Sequence, residues 1–189
     1  MRISFGKLKR IATAFIVLVA ISLPAVAQEA DETDESVLLE RLAQADAKDA
    51  ISLDRQLQAL WSKSGSASMD LLLKRGRDAL EDDKVDEAIE HLTAVTDHAP
   101  EFAEGWYWRA SAYFEAELFG PALADLERAL SLNPNNYNAI HGLGAILETF
   151  GDQKRAYEAY LRVLAIHPHH KKVGQSVERL RPLVVGKEL

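Results

Sequence analysis

Four histidines gather toward the C-terminal end of this sequence, His167, His169 and His170 in one short stretch and His141 about one helix earlier. Neutral imidazoles are good ligands for divalent ions, so the group is a candidate metal site. Spacing alone does not aim three ring nitrogens at one point. The three adjacent histidines also follow the end of a helix, where positive charge is welcome, and no metal is assigned to them. His91 and His98 would stand about two turns, roughly 10 Å, apart along one helix, too far to share an ion. Covalent chemistry has no better foothold. There is no G-x-S-x-G elbow, no H-E-x-x-H and no phosphate loop. The chain has no cysteine, which excludes a thiol nucleophile, thiolate metal sites and disulfides. Scattered serine, histidine and aspartate occur in any chain of this size. The sequence therefore names no catalytic residue, no metal and no cofactor, and points away from an enzyme.

In composition, 48% hydrophobic and 27% charged residues in 189 are enough for one folded core. Residues 1–27 stand apart from it. Arg2, Lys7, Lys9 and Arg10 open the chain without an acid, no charge occurs from Ile11 to Leu23, and Ala25, Val26 and Ala27 supply a small-residue exit. That order predicts a signal peptide cut after Ala27, hence export to the periplasm. The alternative is an uncut anchor, although the uncharged run lies at the lower edge of the ~17 to 25 residues that span a bilayer. Lys9-Arg10 is not a twin arginine, and no cysteine offers a lipid attachment site. Cleavage would leave 18 of the 22 basic residues against 29 acidic ones, a net charge of −11, which argues against nucleic acid. Nothing downstream of the leader spans a membrane, so no stable insertion is expected after cleavage. From Lys154 onward bases outnumber acids, so one end should be acidic and the other mildly basic.

Four landmarks then recur every 34 residues. Small residues stand at Gly76, Ala110 and Gly144, followed by Ala88, Ala122 and Ala156, by Leu92, Leu126 and Tyr160, and by Pro100, Pro134 and Pro168. A small residue on one helix facing an alanine on the next lets two antiparallel helices approach closely, and the large residue fills the gap beside them. Proline stops the second helix. Glu81 to Lys84, Glu117 to Gly120 and Gly151 to Gln153 are turn-compatible and separate the two helices of each pair.

These residues resemble the tetratricopeptide repeat (TPR) family, with its W-x2-L-G-x2-Y, A-x3-F and P pattern. The middle unit matches best, through Trp106, Ala110, Tyr113, Ala122, Leu126, Ala129 and Pro134; the leucine before the small residue is kept only at Leu143, with Arg75 and Arg109 elsewhere. The resemblance implies an all-α, right-handed superhelical solenoid of three helix pairs, at 69–102, 103–136 and 137–170. Trp61 through Leu73 is also similar to small periplasmic TPR proteins of Gram-negative bacteria. It further implies a concave groove lined by positions two, five, nine and twelve of each first helix. Carried over, these give Leu73, Arg77, Leu80, Tyr107, Ser111, Phe114, His141 and Glu148 as residues facing a protein or peptide, with Asp70, Glu104, Asn138 and Ala145 beside them. Packing under a neighbouring helix competes with that role for Leu73, Leu80 and Phe114. Leu73 and Arg77 also replace the lysine and asparagine with which some relatives grip a terminal carboxylate.

Around the repeats, residues 28–35 are acidic and read as disordered. Residues 36–66 read as a helical pair closed by Ser64-Gly65-Ser66, either an N-terminal cap or a separate docking element. Residues 171–189 read as a capping helix with Val173, Val177 and Leu180 inward, ended by Pro182. Together these features predict an exported adaptor or assembly factor of the cell envelope that holds a protein in its groove. The alternative is an oligomerisation module whose groove is filled by its own N-terminal helices.

Overall fold

Short polar side chains start the helices at the N-terminal end. The Asp34 carboxylate accepts from the Ser36 amide at 2.8 Å and opens α1 (Glu35–Gln44); Asp46 accepts from the Lys48 and Asp49 amides, both at 2.9 Å, and opens α2 (Ala47–Trp61). In this computed structural model residues 34–187 are described. The expected leader at 1–27 and positions 28–33 of the acidic stretch lie outside them. Asp34 and Glu35, expected to be disordered, instead form the cap and first turn of α1.

Three helix pairs follow: α3 (Ala67–Glu81) with α4 (Val85–His98), α5 (Ala103–Glu115) with α6 (Phe119–Leu132), and α7 (Tyr137–Thr149) with α8 (Gln153–Ile166). The second helix of each pair stops two residues before Pro100, Pro134 or Pro168. Within each pair the turn passes through a left-handed residue, Asp83 (φ 60°), Glu117 (φ 59°) or Gly151 (φ 78°), all in one phase of the repeat. The second of these turns lies earlier than its glycine implied, because Gly120 is already inside α6.

Glycine is needed where the helices of a pair touch. A Cβ on Gly76 would lie 2.5 Å from Leu92 Cγ, and one on Gly144 would lie 2.5 Å from Tyr160 Cε1. The missing side chain thus makes room for the large residue itself, where the sequence pairs it with the alanine. Ala88, Ala122 and Ala156 are fully buried beside that contact. Arg109 occupies the place of the family leucine without leaving a bare charge. It pairs bidentately with buried Asp125, at 2.6 and 2.9 Å, and donates to Thr96 at 2.7 Å.

The N-terminal pair departs from expectation as a cap on the first repeat. It packs on the third: α1 lies against α8, the Trp61 and Tyr137 rings meet at 5.1 Å, and the Tyr137 hydroxyl donates to Asp54 at 2.5 Å. Leu38, Leu42, Leu53 and Leu57 share one core with Tyr137, Ile140, Tyr160 and Val163. The physical reason is polarity. Where the chain leaves α2, α3 offers Asp70, Lys74 and Arg77, whereas the third repeat offers apolar side chains to the stripe on α1 and α2.

The last helix, α9 (Lys171–Val184), covers the third repeat with Val173, Val177 and Leu180. It continues through Pro182, where the sequence expects it to stop. Only the bond to the exposed Glu178 carbonyl is lost there, one turn from the helix end, and water can satisfy that group. A short 3-10 turn, Val185–Lys187, closes the described chain. No helix among the described residues is long and apolar enough to cross a membrane.

Candidate binding groove

Tyr107, Ser111 and Phe114 come from α5 and His141 from α7, and the antiparallel packing of the two pairs brings them together. They line an open cleft of about 210 Å³ with Asn138, Ala145, Glu115 and the small residues Ala110 and Gly142. The small residues set its depth: Leu126 forms part of the wall, and a Cβ on Gly142 would come within 3.2 Å of it. Ser111 donates to the Tyr107 carbonyl at 3.1 Å, which leaves its side chain turned along α5.

The other expected groove residues are placed differently. Leu73 is 2% exposed and belongs to the core with Leu92 and Val95, and Leu80 packs against that core. Arg77 lies over the Trp108 ring at 4.7 Å and donates to Ser62 at 3.4 Å, so the end of α2 reaches the groove at the first repeat. Asp70 accepts from the amide and hydroxyl of Ser64. Glu148 is bound by Arg179 of α9 and accepts from the Tyr160 hydroxyl at 3.1 Å, and the Arg179 contact holds its carboxyl below the usual range.

Glu104, at position two of the second repeat, is buried at the base of α5. It accepts from the Trp108 indole at 2.9 Å and from the Asn136 amide at 2.7 Å, and burial pushes its acid up to about 7. Asn136 is a residue the sequence reading missed. Its side-chain oxygen caps α7 by accepting from the Asn138 and Ala139 amides, so its amide nitrogen is left to face Glu104. Its place just after Pro134, at the head of a helix, was the available signal.

The histidines form a row of rings. His167 meets His170 at 5.4 Å, His170 meets His141 at 5.5 Å, and Tyr137 meets His167 at 5.4 Å. Burial lowers all three imidazoles, His141 to about 4, so they are neutral at pH 7. His169 turns away to the Ala45 carbonyl at 3.0 Å. Among the described residues no group of three or more His, Asp or Glu side chains is placed to hold one ion.

Comparison with known proteins points to one family of repeats. The family model described as tetratricopeptide repeat matches residues 73–136, and a TPR repeat-containing protein of Rhizobium etli is 28% identical over 137 residues, 72% of this chain and 67% of that one. The chain carries tetratricopeptide repeats at 73–136. Its fold is shared by MamA, with a TM-score of 0.56 at 24% identity over 78% of this chain and 82% of that one. The first TPR of Spaghetti (RPAP3), 27% identical, aligns with a TM-score of 0.59 over 62% of this chain and 94% of that one; that domain was solved bound to the HSP90 peptide SRMEEVD. The cleft between α5 and α7 is lined by the first helices of the second and third repeats.

Proposed function

We propose that this TPR protein is a non-catalytic adaptor that holds a segment of another protein in the cleft of its second and third repeats. The observation carrying this reading is the open cleft itself, lined by Tyr107, Phe114 and His141 on successive first helices and left uncovered by α1 and α2. Apolar and aromatic groups ringed by polar ones are the usual composition of an anchor pocket. The peptide bound by the RPAP3 domain supports the same use of the fold. The leader read at 1–27 supports a site of action in the cell envelope. The N-terminal pair also meets the first helices, Ser62 at Arg77 and Trp61 at Tyr137, which favours a partly self-occupied groove, but the cleft between Tyr107 and His141 stays open.

The test begins with a partner captured by the exported protein and titrated against it. Tyr107→Ala should weaken binding about five- to thirty-fold with the far-UV helical signal intact, whereas Glu90→Ala on the exposed face of α4 should bind as wild type. Equal affinities for wild type and Tyr107→Ala would place recognition elsewhere on the molecule.

A further inference from the structure

The cations around the cleft are already engaged. Arg77 is stacked on Trp108, Arg109 is locked to Asp125, and Arg179 is held by Glu148. Lys172, which lies near enough to His141 to affect it electrostatically, does not line the cleft. The residues that do line it include no lysine or arginine, and the charged one is a carboxylate, Glu115. Glu115 and Glu117 are both exposed and have no ion-pair partner among the described residues. An acidic peptide would meet the Glu115 carboxylate here, with no lysine or arginine among the lining residues.

The apolar surface also extends past the cleft. Phe114 meets Phe119 at 5.5 Å and Phe119 meets Phe150 at 5.6 Å, a ladder of rings running from the cleft wall to the outer turns. At its outer end Phe150 is 68% exposed, and Leu118, next to Phe119 in sequence, is 47% exposed. Single exposed apolar residues are ordinary, but a contiguous strip joined to a pocket marks a contact surface. The cleft volume, about 210 Å³, exceeds the ~150 Å³ of a cavity known to take a benzene ring, so one large side chain fits.

We propose that the groove takes a cationic amphipathic segment of a partner polypeptide. One large apolar side chain sits between Tyr107, Phe114 and His141, a second lies on Phe119 and Phe150, and lysine or arginine stands beside Glu115 and Glu117. This rests on the groove being the recognition surface, and it adds the chemistry of the occupant. The apolar anchors supply most of the affinity; the carboxylates select the sign of charge and speed the encounter.

A phage-displayed library of random linear peptides, panned against the full chain, tests both steps. Recovered peptides should carry an aromatic or large aliphatic residue flanked by lysine or arginine. Synthetic copies should bind about ten-fold tighter than their lysine-to-glutamate counterparts at low salt, with the ratio shrinking as salt rises. The double variant Glu115→Lys, Glu117→Lys should lose or reverse that preference while retaining its helical signal. A consensus rich in acids, or one indifferent to charge, overturns the cationic occupant and leaves the groove in place. Peptides that bind Phe114→Ala and Tyr107→Ala as they bind wild type, or a selection that recovers only a second copy of this chain's own segments, overturn the occupant together with the groove.

Discussion

Glu104 shows how a single buried group shapes the pH response of the whole chain. It is 2% exposed, and desolvation outweighs its bonds to Trp108 and Asn136 and the attraction of Arg77, raising the acid from 4.5 to about 7. The folded protein therefore keeps this proton where the unfolded chain has released it. Its stabilising contribution is complete below about pH 4.5 and fades as pH rises through about 7. The buried imidazoles act with the opposite sign, because their folded values lie below that of a free histidine and acid favours the unfolded chain. Glu104→Gln isolates the first effect. Trp108 and Asn136 bond to different carboxyl oxygens, and the NH2 that replaces one of them cannot accept, so the variant should be less stable than wild type at about pH 5.5. The gap should narrow by about 2 kcal/mol at about pH 8, as measured by urea unfolding. Parallel profiles for the two proteins would mean that Glu104 titrates like an exposed glutamate.

The N-terminal pair is an element held to the repeats by side chains from one face. Trp61 is its largest anchor: its indole N–H donates to Glu35 at 2.9 Å and its ring packs on Tyr137. Trp61→Ala should weaken the docking by about 3 to 5 kcal/mol, so that amides of α1 and α2 exchange faster while those of α5 and α6 keep their protection. Equal acceleration in α5 and α6 would show that the pair and the repeats unfold as one unit. The repeats themselves were legible in the sequence, because Ala88, Ala122 and Ala156 and the three prolines fix the phase of every pair. The docking of α1 and α2 was not. An amphipathic stripe says that a face is buried and leaves the acceptor open, and that acceptor lies beyond the intervening repeats. The groove was legible to the same extent. Tyr107, Ser111, Phe114 and His141 meet as the family geometry implies, whereas Leu73 sinks into the core and Glu148 is taken by Arg179. Those two outcomes depend on neighbours distant in sequence, which periodicity does not encode.

Across the whole molecule stability is unevenly shared. In a linear array each unit draws on its own packing and on its interfaces with neighbours. The second repeat has a repeat on either side. The third has the second repeat, α9 and the N-terminal pair, joined in a core of 14 buried residues. The first repeat shares a core of only six with the start of the second, and on its other side it meets the α2–α3 turn through polar contacts of Ser62 and Ser64 with Arg77 and Asp70. Leu71 remains 49% exposed on α3. With its smaller core, at ~25 cal/mol per Å² of apolar surface, the first repeat gains less from burial than the third. It should therefore be the first to open. Hydrogen exchange in sub-denaturing urea is expected to release the amides of α3 and α4 before those of α7 and α8, with α5 and α6 still protected. Because Tyr107, Phe114 and His141 all belong to the second and third repeats, a groove-binding peptide should slow exchange in α5 and α7 and change α3 little. If α7 and α8 exchange first, or all three repeats exchange together, the C-terminal core does not anchor the array as its packing implies.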